Sequence, residues 1–246
     1  MTSFVMPASK AILLSAGLGS RLRPVTDTIP KCLVPIHGKP LLQIWLDTLS
    51  AAGISQFYIN MHHLADEVEE FIELSGYKSE VTLVYEEELL GTLGTLYRAS
   101  SFFSNEDILV AHADNLCLCD WPSFFDSFKE RPTNCFGTMM LFETDNPQAC
   151  GVVELDDNAR VQAFYEKVDK PPSRLANAAV YLFDRTLSKR MSTLPSGSVD
   201  ISVDFIPKIL GNINSWKNEC YLRDIGTIES LRRANLDMLN YSPAII

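Results

Sequence analysis

The stretch Ala11-Ile-Leu-Leu-Ser-Ala-Gly-Leu-Gly-Ser-Arg-Leu-Arg-Pro24, with Pro30-Lys31 shortly after it, decides the fold. Its apolar residues 11–14 predict a short buried strand that opens into a glycine loop. Gly17 and Gly19 allow the backbone to come close to a ligand, and the exposed amide N–H groups of such a loop suit a phosphate. Arg21, Arg23 and Lys31 add positive charge nearby. The stretch therefore indicates a site for a polyphosphate anion.

Two common phosphate-binding motifs do not fit the spacing of this loop. The dinucleotide-binding pattern needs a third glycine where Leu22 stands, and the Walker pattern needs Gly-Lys-Ser/Thr where the chain has Gly19-Ser20-Arg21. For the two glycines alone, an ordinary strand-to-helix turn with solvated basic residues stays open as an alternative. The longer pattern, which includes Thr26, Pro30 and Lys31, argues against that alternative.

Length and composition favour one globular domain. The chain has 246 residues, of which 46% are hydrophobic, so that it can bury a large core. The net charge of −10 argues against a nucleic-acid-binding surface. The six cysteines lack metal-site or redox spacing, residues 1–10 do not resemble a signal peptide, and no apolar run is long enough to span a membrane. We therefore expect a reduced, cytoplasmic protein that binds its anionic ligand in a local pocket.

Hydrophobic periodicity predicts alternating strands and helices in the first half of the chain, which is typical of a parallel sheet. The expected elements are helix 38–52, strand 57–60, helix 64–74, strand 81–85, strand 107–114 and helix 121–131. The second half is expected to be more antiparallel, with strand 134–142, a hairpin over 151–161, strand 175–183, a helix interrupted near Pro207 and a last helix, 228–239. The fold class is therefore α/β, with a central, mostly parallel mixed sheet flanked by helices and a smaller antiparallel part.

Two further features are candidates for a binding site. Gly91 and Gly94 form a second glycine loop before residues that are predicted to be helical up to Ser101, although such a loop is more often a plain helix start. Asp114 ends an apolar strand, where ligands of doubly wound sheets bind and where a Mg²⁺ ligand would be useful. A turn or helix-capping role for Asp114 is an equally good interpretation of that segment alone, and Asp224 by itself could also be a turn aspartate.

Together these motifs resemble the sugar-1-phosphate nucleotidyltransferases, whose signature is Gly-x-Gly-Ser/Thr-Arg-Leu-x-Pro-x-Thr followed by Pro-Lys. The sequence of the second glycine loop is most similar to that of the mannose-1-phosphate guanylyltransferase branch. Later motifs follow in the family's order, namely Cys150-Gly151, Glu166-Lys167, Asn177-Ala178 and Asp224-Ile-Gly-Thr227. Ala16, Cys150, Val168 and Ala179 replace a glycine, a tyrosine, a proline and a glycine of the family pattern. Many relatives carry a C-terminal β-helix domain. Because only residues 240–246 follow the last predicted helix, neither this domain nor an acetyltransferase activity is expected here.

The resemblance implies a Rossmann-like nucleotidyltransferase fold in one domain, 1–246, with a nucleotide-binding half at about 10–145 and a sugar-phosphate-binding half at about 146–240. It implies catalytic roles for Arg21, Lys31, Asp114 and Asp224, with Mg²⁺ on Asp114 and Asp224. The implied nucleotide-binding residues are Ser15, Ala16, Gly17, Gly19, Ser20, Arg21, Glu86, Gly91 and Thr92. The implied sugar-phosphate-binding residues are Asn115, Gly151, Glu166, Lys167 and Asn177.

The implied reaction joins a nucleoside triphosphate, with GTP favoured, to a mannose- or heptose-type sugar 1-phosphate, and it serves nucleotide-sugar and polysaccharide biosynthesis. Thymidylyl or uridylyl transfer to glucose 1-phosphate is one alternative, and a non-catalytic module that binds a nucleotide sugar is another. A metal phosphohydrolase is suggested only by His112-x-Asp114, without the further His and Asp clusters that such enzymes need. The expected partners are the two substrates, with no nucleic acid and no membrane, and a homodimer is one open alternative for the assembly.

Overall fold

The computed structural model describes residues 8–239 and 241. The expectations about a signal peptide and about a β-helix concern residues 1–10 and 240–246, of which 1–7, 240 and 242–246 lie outside the described residues. Among the residues that are described, no helix combines the length and the apolar character needed to cross a bilayer.

The described residues form strands β1 to β13 and helices α1 to α6. The strands are β1 (Lys10–Leu14), β2 (Pro35–Ile36), β3 (Lys39–Pro40), β4 (Gln56–Met61), β5 (Val81–Tyr85), β6 (Ile108–His112), β7 (Asn115–Leu118), β8 (Gly137–Glu143), β9 (Gly151–Leu155), β10 (Val161–Glu166), β11 (Leu175–Phe183), β12 (Ile213–Lys217) and β13 (Tyr221–Asp224). The helices are α1 (Leu41–Ala51), α2 (Ala65–Leu74), α3 (Gly91–Arg98), α4 (Trp121–Lys129), α5 (Leu187–Met191) and α6 (Ile228–Met238).

The chain divides into two compact units, each assembled from separate stretches. Unit 1 consists of Met1–Ser9, Leu90–Val110 and Asp120–Glu219. Unit 2 consists of Lys10–Leu89, Ala111–Cys119 and Cys220–Ile246. Both units therefore draw on distant parts of the sequence, and the expected single domain with two consecutive halves stays a prediction.

Unit 2 contains the predicted parallel strands. Strand β4 pairs in parallel with β1 and with β5, so that Asn60 lies opposite Leu14 and Met61 lies opposite Tyr85. Most side chains of β1 and β4 are buried, which fits the continuous apolar run of a strand in a parallel sheet. Because the carboxyl ends of parallel strands meet at one edge, the residues that follow β1, β4 and β5 are brought together there.

Helix α1 buries the apolar face that its periodicity predicts, with Leu41, Leu42, Ile44, Trp45, Leu46 and Leu49 out of contact with water. The predicted start at residue 38 is wrong, because Lys39–Pro40 forms β3 against β2. A residue that precedes a proline is sterically biased towards an extended backbone, so the helix begins only after Pro40.

A short antiparallel ribbon in unit 2 joins segments that are far apart in the sequence. Strand β13 pairs with β7, with Tyr221 opposite Leu118 and Asp224 opposite Asn115. Neither strand is among the elements predicted from periodicity, since four residues are too few to establish a pattern. This register places Asp224 beside the segment that follows Asp114.

Unit 1 contains the predicted antiparallel part. Strand β11 pairs antiparallel with β8 and β9, β9 pairs antiparallel with β10, and β12 runs parallel to β8. The expected α/β class, with parallel strands first and antiparallel strands later, is confirmed by these pairings. Strand β8 begins at Gly137 and not at residue 134, because Cys135 donates its N–H to the Pro132 carbonyl in a turn.

Two other local predictions are wrong. Gly91 and Gly94 do not precede the helix as a loop but lie within α3, whose first residue, Gly91, has φ 75°. Near Pro207 the predicted interruption is confirmed, but the expected helix is only one π-helical turn, Ile201–Phe205, followed by a 3-10 turn. Proline at position 207 lacks the N–H that a continuous α-helix needs, so the regular hydrogen-bond ladder does not form.

Candidate active site

The glycine loop of unit 2 begins where β1 ends, at Ser15, and passes through Ala16 and Gly17 to Gly19. Gly19 has φ 61°, and a Cβ atom there would lie 2.8 Å from the methyl group of Thr26. The buried Thr26 hydroxyl donates a hydrogen bond to the Gly19 carbonyl at 2.8 Å. The loop therefore needs glycine at position 19 for both its backbone conformation and its packing.

Ser20 and Arg21 lie in a 3-10 turn, Ser20–Leu22, that the buried Leu22 anchors. The Arg21 guanidinium is 71% exposed, and its Nη2 lies 3.8 Å from Asp224 Oδ2. Arg23, the other arginine of the loop, pairs with Asp27 at 3.2 Å. Arg21 is thus the arginine that the structure brings to the carboxylate of β13.

Lys31 is the centre of the charged cluster. Its side chain is only 7% exposed, and its ammonium lies 2.7 Å from Asp114 Oδ2 and 3.4 Å from Asp224 Oδ1. A buried ammonium is stable only with such charged partners. One cation therefore joins two carboxylates that are 110 positions apart in the sequence.

The pKa of Asp114 reflects this arrangement. Burial by itself would raise the pKa of the carboxyl, but the positive charge of Lys31, the field of His112 and the hydrogen bond from Lys31 together hold the pKa below its ordinary value. Asp114 is therefore an anion at neutral pH and is suited to bind a cation.

Two glycines leave room around the carboxylates. A Cβ atom at Gly17 would be 4.0 Å from Asp114 Oδ2, so the backbone of the glycine loop runs close to this carboxylate. A Cβ atom at Gly226 would be 2.8 Å from Arg21 Nη2 and 2.9 Å from Asp224 Oδ1. Glycine at position 226 is therefore required for the observed positions of Arg21 and Asp224, which explains the glycine in the segment Asp224-Ile-Gly-Thr.

Asn115 follows Asp114 directly, and the Trp45 indole donates to its carbonyl at 2.9 Å. This bond ties β7 to helix α1. Asn115 also lies opposite Asp224 in the β7–β13 ribbon, so it belongs to the charged cluster around Lys31.

A buried polar network that is not evident from the sequence lies at the carboxyl ends of β1, β4 and β5. Asn60 accepts a hydrogen bond from the Ser15 N–H at 2.8 Å and donates one to Glu86 Oε1 at 3.0 Å. Glu86 is only 1% exposed. The sequence signal for Asn60 was its position as a polar residue at the end of the predicted apolar strand Phe57-Tyr-Ile-Asn60.

The remaining predicted site residues belong to unit 1. The hydroxyl of Thr92 accepts the Ile201 N–H at 2.8 Å, and the Leu93 N–H donates to the Val199 carbonyl at 2.9 Å. Gly91 is required beside this segment, because a Cβ atom there would lie 2.4 Å from the Val199 oxygen. The start of α3 is therefore fixed by the segment that leads into the π-helical turn.

Gly151 and Glu166 are opposite each other on β9 and β10, and a Cβ atom at Gly151 would lie 2.5 Å from Glu166 Oε2. Lys167 follows in the left-handed region, with φ 50°, and its ammonium is 3.0 Å from Glu166 Oε1. Asn177 donates to the Tyr181 hydroxyl at 2.7 Å and accepts from the Ala179 N–H at 3.0 Å. Glu166, Lys167 and Gly151 thus form one cluster in unit 1.

The carboxylates of Asp114 and Asp224 fit a divalent cation of the Mg²⁺ type. This metal is commonly held by one or two carboxylates, with water and phosphate oxygens in the other positions. The described residues contain no group of three or more His, Cys, Asp or Glu side chains that would form a protein-only metal cage. The donor set is therefore of the kind that shares its metal with a phosphate ligand.

Comparisons with known proteins point to one family. Residues 10–241 match the family described as nucleotidyl transferase. A mannose-1-phosphate guanylyltransferase of Mycobacterium tuberculosis is 31% identical over 93% of the chain, and a glucose-1-phosphate thymidylyltransferase of Streptomyces antibioticus is 28% identical over 94%. The chain spans less than two thirds of the length of these curated relatives, 64% of the first and 66% of the second.

Two solved structures resemble the whole chain. HddC from Yersinia pseudotuberculosis, complexed with GMP-PN, superposes with a TM-score of 0.77 at 25% identity, over 94% of this chain and 99% of that one. A structure from Bacillus anthracis, described as a putative glucose-1-phosphate thymidylyltransferase, superposes with a TM-score of 0.82 at 24% identity, over 95% of this chain and 96% of that one, which confirms the expected nucleotidyltransferase fold. Because the family match covers nearly all of the described residues and includes the glycine loop, Lys31, Asp114 and Asp224, the chain belongs to the nucleotidyl transferase family.

Proposed function

We propose that the protein transfers a nucleotidyl group from a nucleoside triphosphate to a sugar 1-phosphate and releases pyrophosphate. We infer GTP and a mannose- or heptose-type sugar 1-phosphate as the preferred substrates. The observation that carries the proposal is the Lys31 ammonium, which joins Asp114 and Asp224 beside the glycine loop.

The reaction forms one phosphorus–oxygen bond and breaks another. A phosphate oxygen of the sugar 1-phosphate attacks the α-phosphorus of the nucleotide, and the bond from that phosphorus to the oxygen of the β-phosphate breaks. The second pKa of a phosphate monoester is about 6, so the attacking oxygen is already ionised near neutral pH. The chain therefore needs no general base, and positioning and electrostatics supply the rate.

Repulsion between the two anionic substrates is the main barrier that the site has to overcome. Two unit charges at 4 Å interact by about 4 kcal/mol at an effective dielectric constant of 20. Lys31 stabilises the charge that develops at the α-phosphate, and Arg21 with the Gly17 and Gly19 amides binds the departing pyrophosphate. Because the Lys31 side chain is fixed by two carboxylates, it needs little reorganisation during the reaction.

Asp114 and Asp224 would hold Mg²⁺, which when bound supplies a second positive charge to the phosphates. A cation held by these carboxylates would lie close to the glycine loop, because Gly17 adjoins Asp114. Asn115 and the unit 1 residues Gly151, Glu166, Lys167 and Asn177 are proposed to bind the sugar phosphate. Gly91 and Thr92 are proposed to contact the nucleobase.

The preference for GTP is supported by two of the relatives, which are named as a guanylyltransferase and as a complex with GMP-PN. The similarity to a thymidylyltransferase makes dTTP the competing substrate. A matrix assay decides between them: ATP, CTP, GTP, UTP and dTTP are each combined with mannose, heptose and glucose 1-phosphates, with Mg²⁺, and pyrophosphate release is measured.

Two variants test the carboxylates, Asp114→Asn and Asp224→Asn. Both should lower kcat by about 100-fold or more, because the charge that holds the cation is lost. Asp66→Asn is the matched control, since Asp66 is an exposed aspartate of α2 in the same unit. Pyrophosphate release that survives both site substitutions, or its absence from the wild type with every substrate pair, would contradict the proposal. A higher thermal midpoint with nucleotide or nucleotide sugar, but without turnover, would favour a binding module. Release of inorganic phosphate would favour a hydrolase.

A further inference from the structure

The carboxyl ends of three parallel strands are joined by one buried chain of hydrogen bonds. Ser15, directly after β1, donates its N–H to Asn60 Oδ1 at 2.8 Å and its hydroxyl to the Asn60 carbonyl. Asn60 Nδ2 donates to Glu86 Oε1 at 3.0 Å, and the Glu86 N–H donates to the Met61 carbonyl at 2.8 Å. These contacts, Ser15–Asn60–Glu86, form the strand-end network.

Burial makes the strand-end network rigid. Ser15, Asn60 and Glu86 are 9%, 4% and 1% exposed. In such surroundings an unsatisfied polar atom is costly, so each group is held to its partner. Ser15 is the first residue of the glycine loop, and its backbone position sets where Ala16 and Gly17 begin.

We propose that Asn60 is a positioning residue of the glycine loop and that Glu86 acts by fixing the Asn60 amide, and not by contacting the nucleotide. The inference rests on the proposed function, because it assigns these residues to the binding of the triphosphate. As a positioning residue, Asn60 touches no reacting atom. It acts through the Ser15 N–H, and Glu86 acts through Asn60.

The chemistry of the network requires an amide at position 60. The side chain must accept a hydrogen bond from the Ser15 N–H with one terminal atom and donate one to Glu86 with the other. A carboxylate at position 60 would still accept from Ser15 but would lack the N–H group that donates to Glu86. Leucine would do neither.

A reciprocal exchange of the two polar groups tests the proposal. Asn60→Asp alone places two carboxylates together and should lower kcat/KM for the nucleoside triphosphate by about 10- to 100-fold, since displacement of a positioning group by 1 Å can cost about 100-fold. Glu86→Gln alone keeps an acceptor for Asn60 and should change kcat/KM by less than about threefold. The double variant Asn60→Asp/Glu86→Gln restores a donor opposite an acceptor and should recover most of the loss.

The pattern of kinetic constants separates positioning from general damage to the fold. The loss should appear in the constants for the nucleotide, while KM for the sugar 1-phosphate stays within about twofold. Asn235→Asp is the matched control, because Asn235 also accepts a backbone N–H, from His37 at 2.8 Å, but lies on α6. This control should leave the kinetics unchanged.

Three results would overturn the inference. The first is a Glu86→Gln variant as impaired as Asn60→Asp, which would show that the Glu86 carboxylate itself is needed. The second is a double variant with no recovery, either of activity or, if Asn60→Asp alone does not fold, of the thermal midpoint. The third is an equal loss in the constants of both substrates. A wild-type protein without turnover would instead contradict the proposed function, and the thermal midpoints of the four variants would then still test the network.

Discussion

The substitution Gly226→Ala tests the arrangement around Asp224 with the smallest possible change. A Cβ atom at position 226 would lie 2.8 Å from Arg21 Nη2, and 2.9 Å and 3.0 Å from the two carboxylate oxygens of Asp224. Non-bonded atoms of this kind prefer separations of about 3.5 Å. Both side-chain ends must therefore move by roughly 0.5 Å to admit one methyl group.

The fold should tolerate this movement. The side chains of Arg21 and Asp224 are 71% and 56% exposed, and an exposed ion pair contributes about 0–1 kcal/mol. Gly226 is not among the residues with positive φ, so alanine adds no backbone strain there, and it restricts the unfolded chain by about 0.4–1 kcal/mol in favour of folding. The free energy of unfolding should thus change by less than about 1 kcal/mol, whereas kcat/KM should fall about tenfold, because a 1 Å displacement can cost about 100-fold.

The assay compares pyrophosphate release with urea denaturation for Gly226→Ala and for Gly76→Ala. Gly76 has φ 84°, and a Cβ atom added there would meet none of the described residues within 4 Å. Alanine at position 76 should therefore lower the free energy of unfolding by about 1–2 kcal/mol through backbone strain and leave activity unchanged. Full activity in Gly226→Ala would refute the reasoning. So would a loss of activity that parallels a loss of stability in both variants.

Three further outcomes are expected. Lys31→Met removes the buried ammonium that bridges Asp114 and Asp224, so it should lower the free energy of unfolding by roughly 1–3 kcal/mol, and added Mg²⁺ should raise the thermal midpoint of this variant more than that of the wild type. Thr26→Val removes the hydroxyl that donates to the Gly19 carbonyl, so it should cost about 1 kcal/mol in urea denaturation and raise KM for the nucleotide. Burial would raise the pKa of Asp47, but hydrogen bonds from Lys39 and two other side chains lower this pKa below its ordinary value. Because the pKa is lower in the folded state, the stabilisation is fully present above the unfolded pKa of about 4 and is lost as the pH falls through the folded pKa. Asp47→Asn should therefore destabilise the protein in denaturation at pH 7, and this destabilisation should shrink when denaturation is repeated at successively lower pH.

Much of the fold could be predicted from local patterns. The strand Val81–Tyr85 and the strand Leu175–Phe183 have the predicted bounds, and helix α2 begins one residue after its predicted start. The hydrophobic pattern of these segments continues over enough residues to indicate the type of element and its bounds. Most failures have local causes, such as the prolines at positions 40 and 207, but at Gly91 a distant contact decided the conformation, because the backbone there lies against Val199.

The candidate site was predictable to the extent that its residue types carry the chemistry. The sequence shows that Arg21 and Lys31 follow a glycine loop and that Asp114 follows an apolar segment. The prediction that Asp114 ends the strand is wrong, because β6 ends at His112 and Asp114 lies in the turn before β7. Asn60 was missed, because a single amide at the end of a strand is a weak signal until its partners Ser15 and Glu86 are known.

The sequence by itself determined the family, the parallel start of the fold and the kinds of charged group available to a phosphate ligand. Only the tertiary structure decided that Asp224 stands with Asp114 on the same ammonium, because that contact depends on the register of the β7–β13 ribbon and on a glycine at position 226. Local propensities act over a few residues, whereas this pairing spans more than a hundred. It therefore follows from how the whole of unit 2 packs, and no local stretch specifies it.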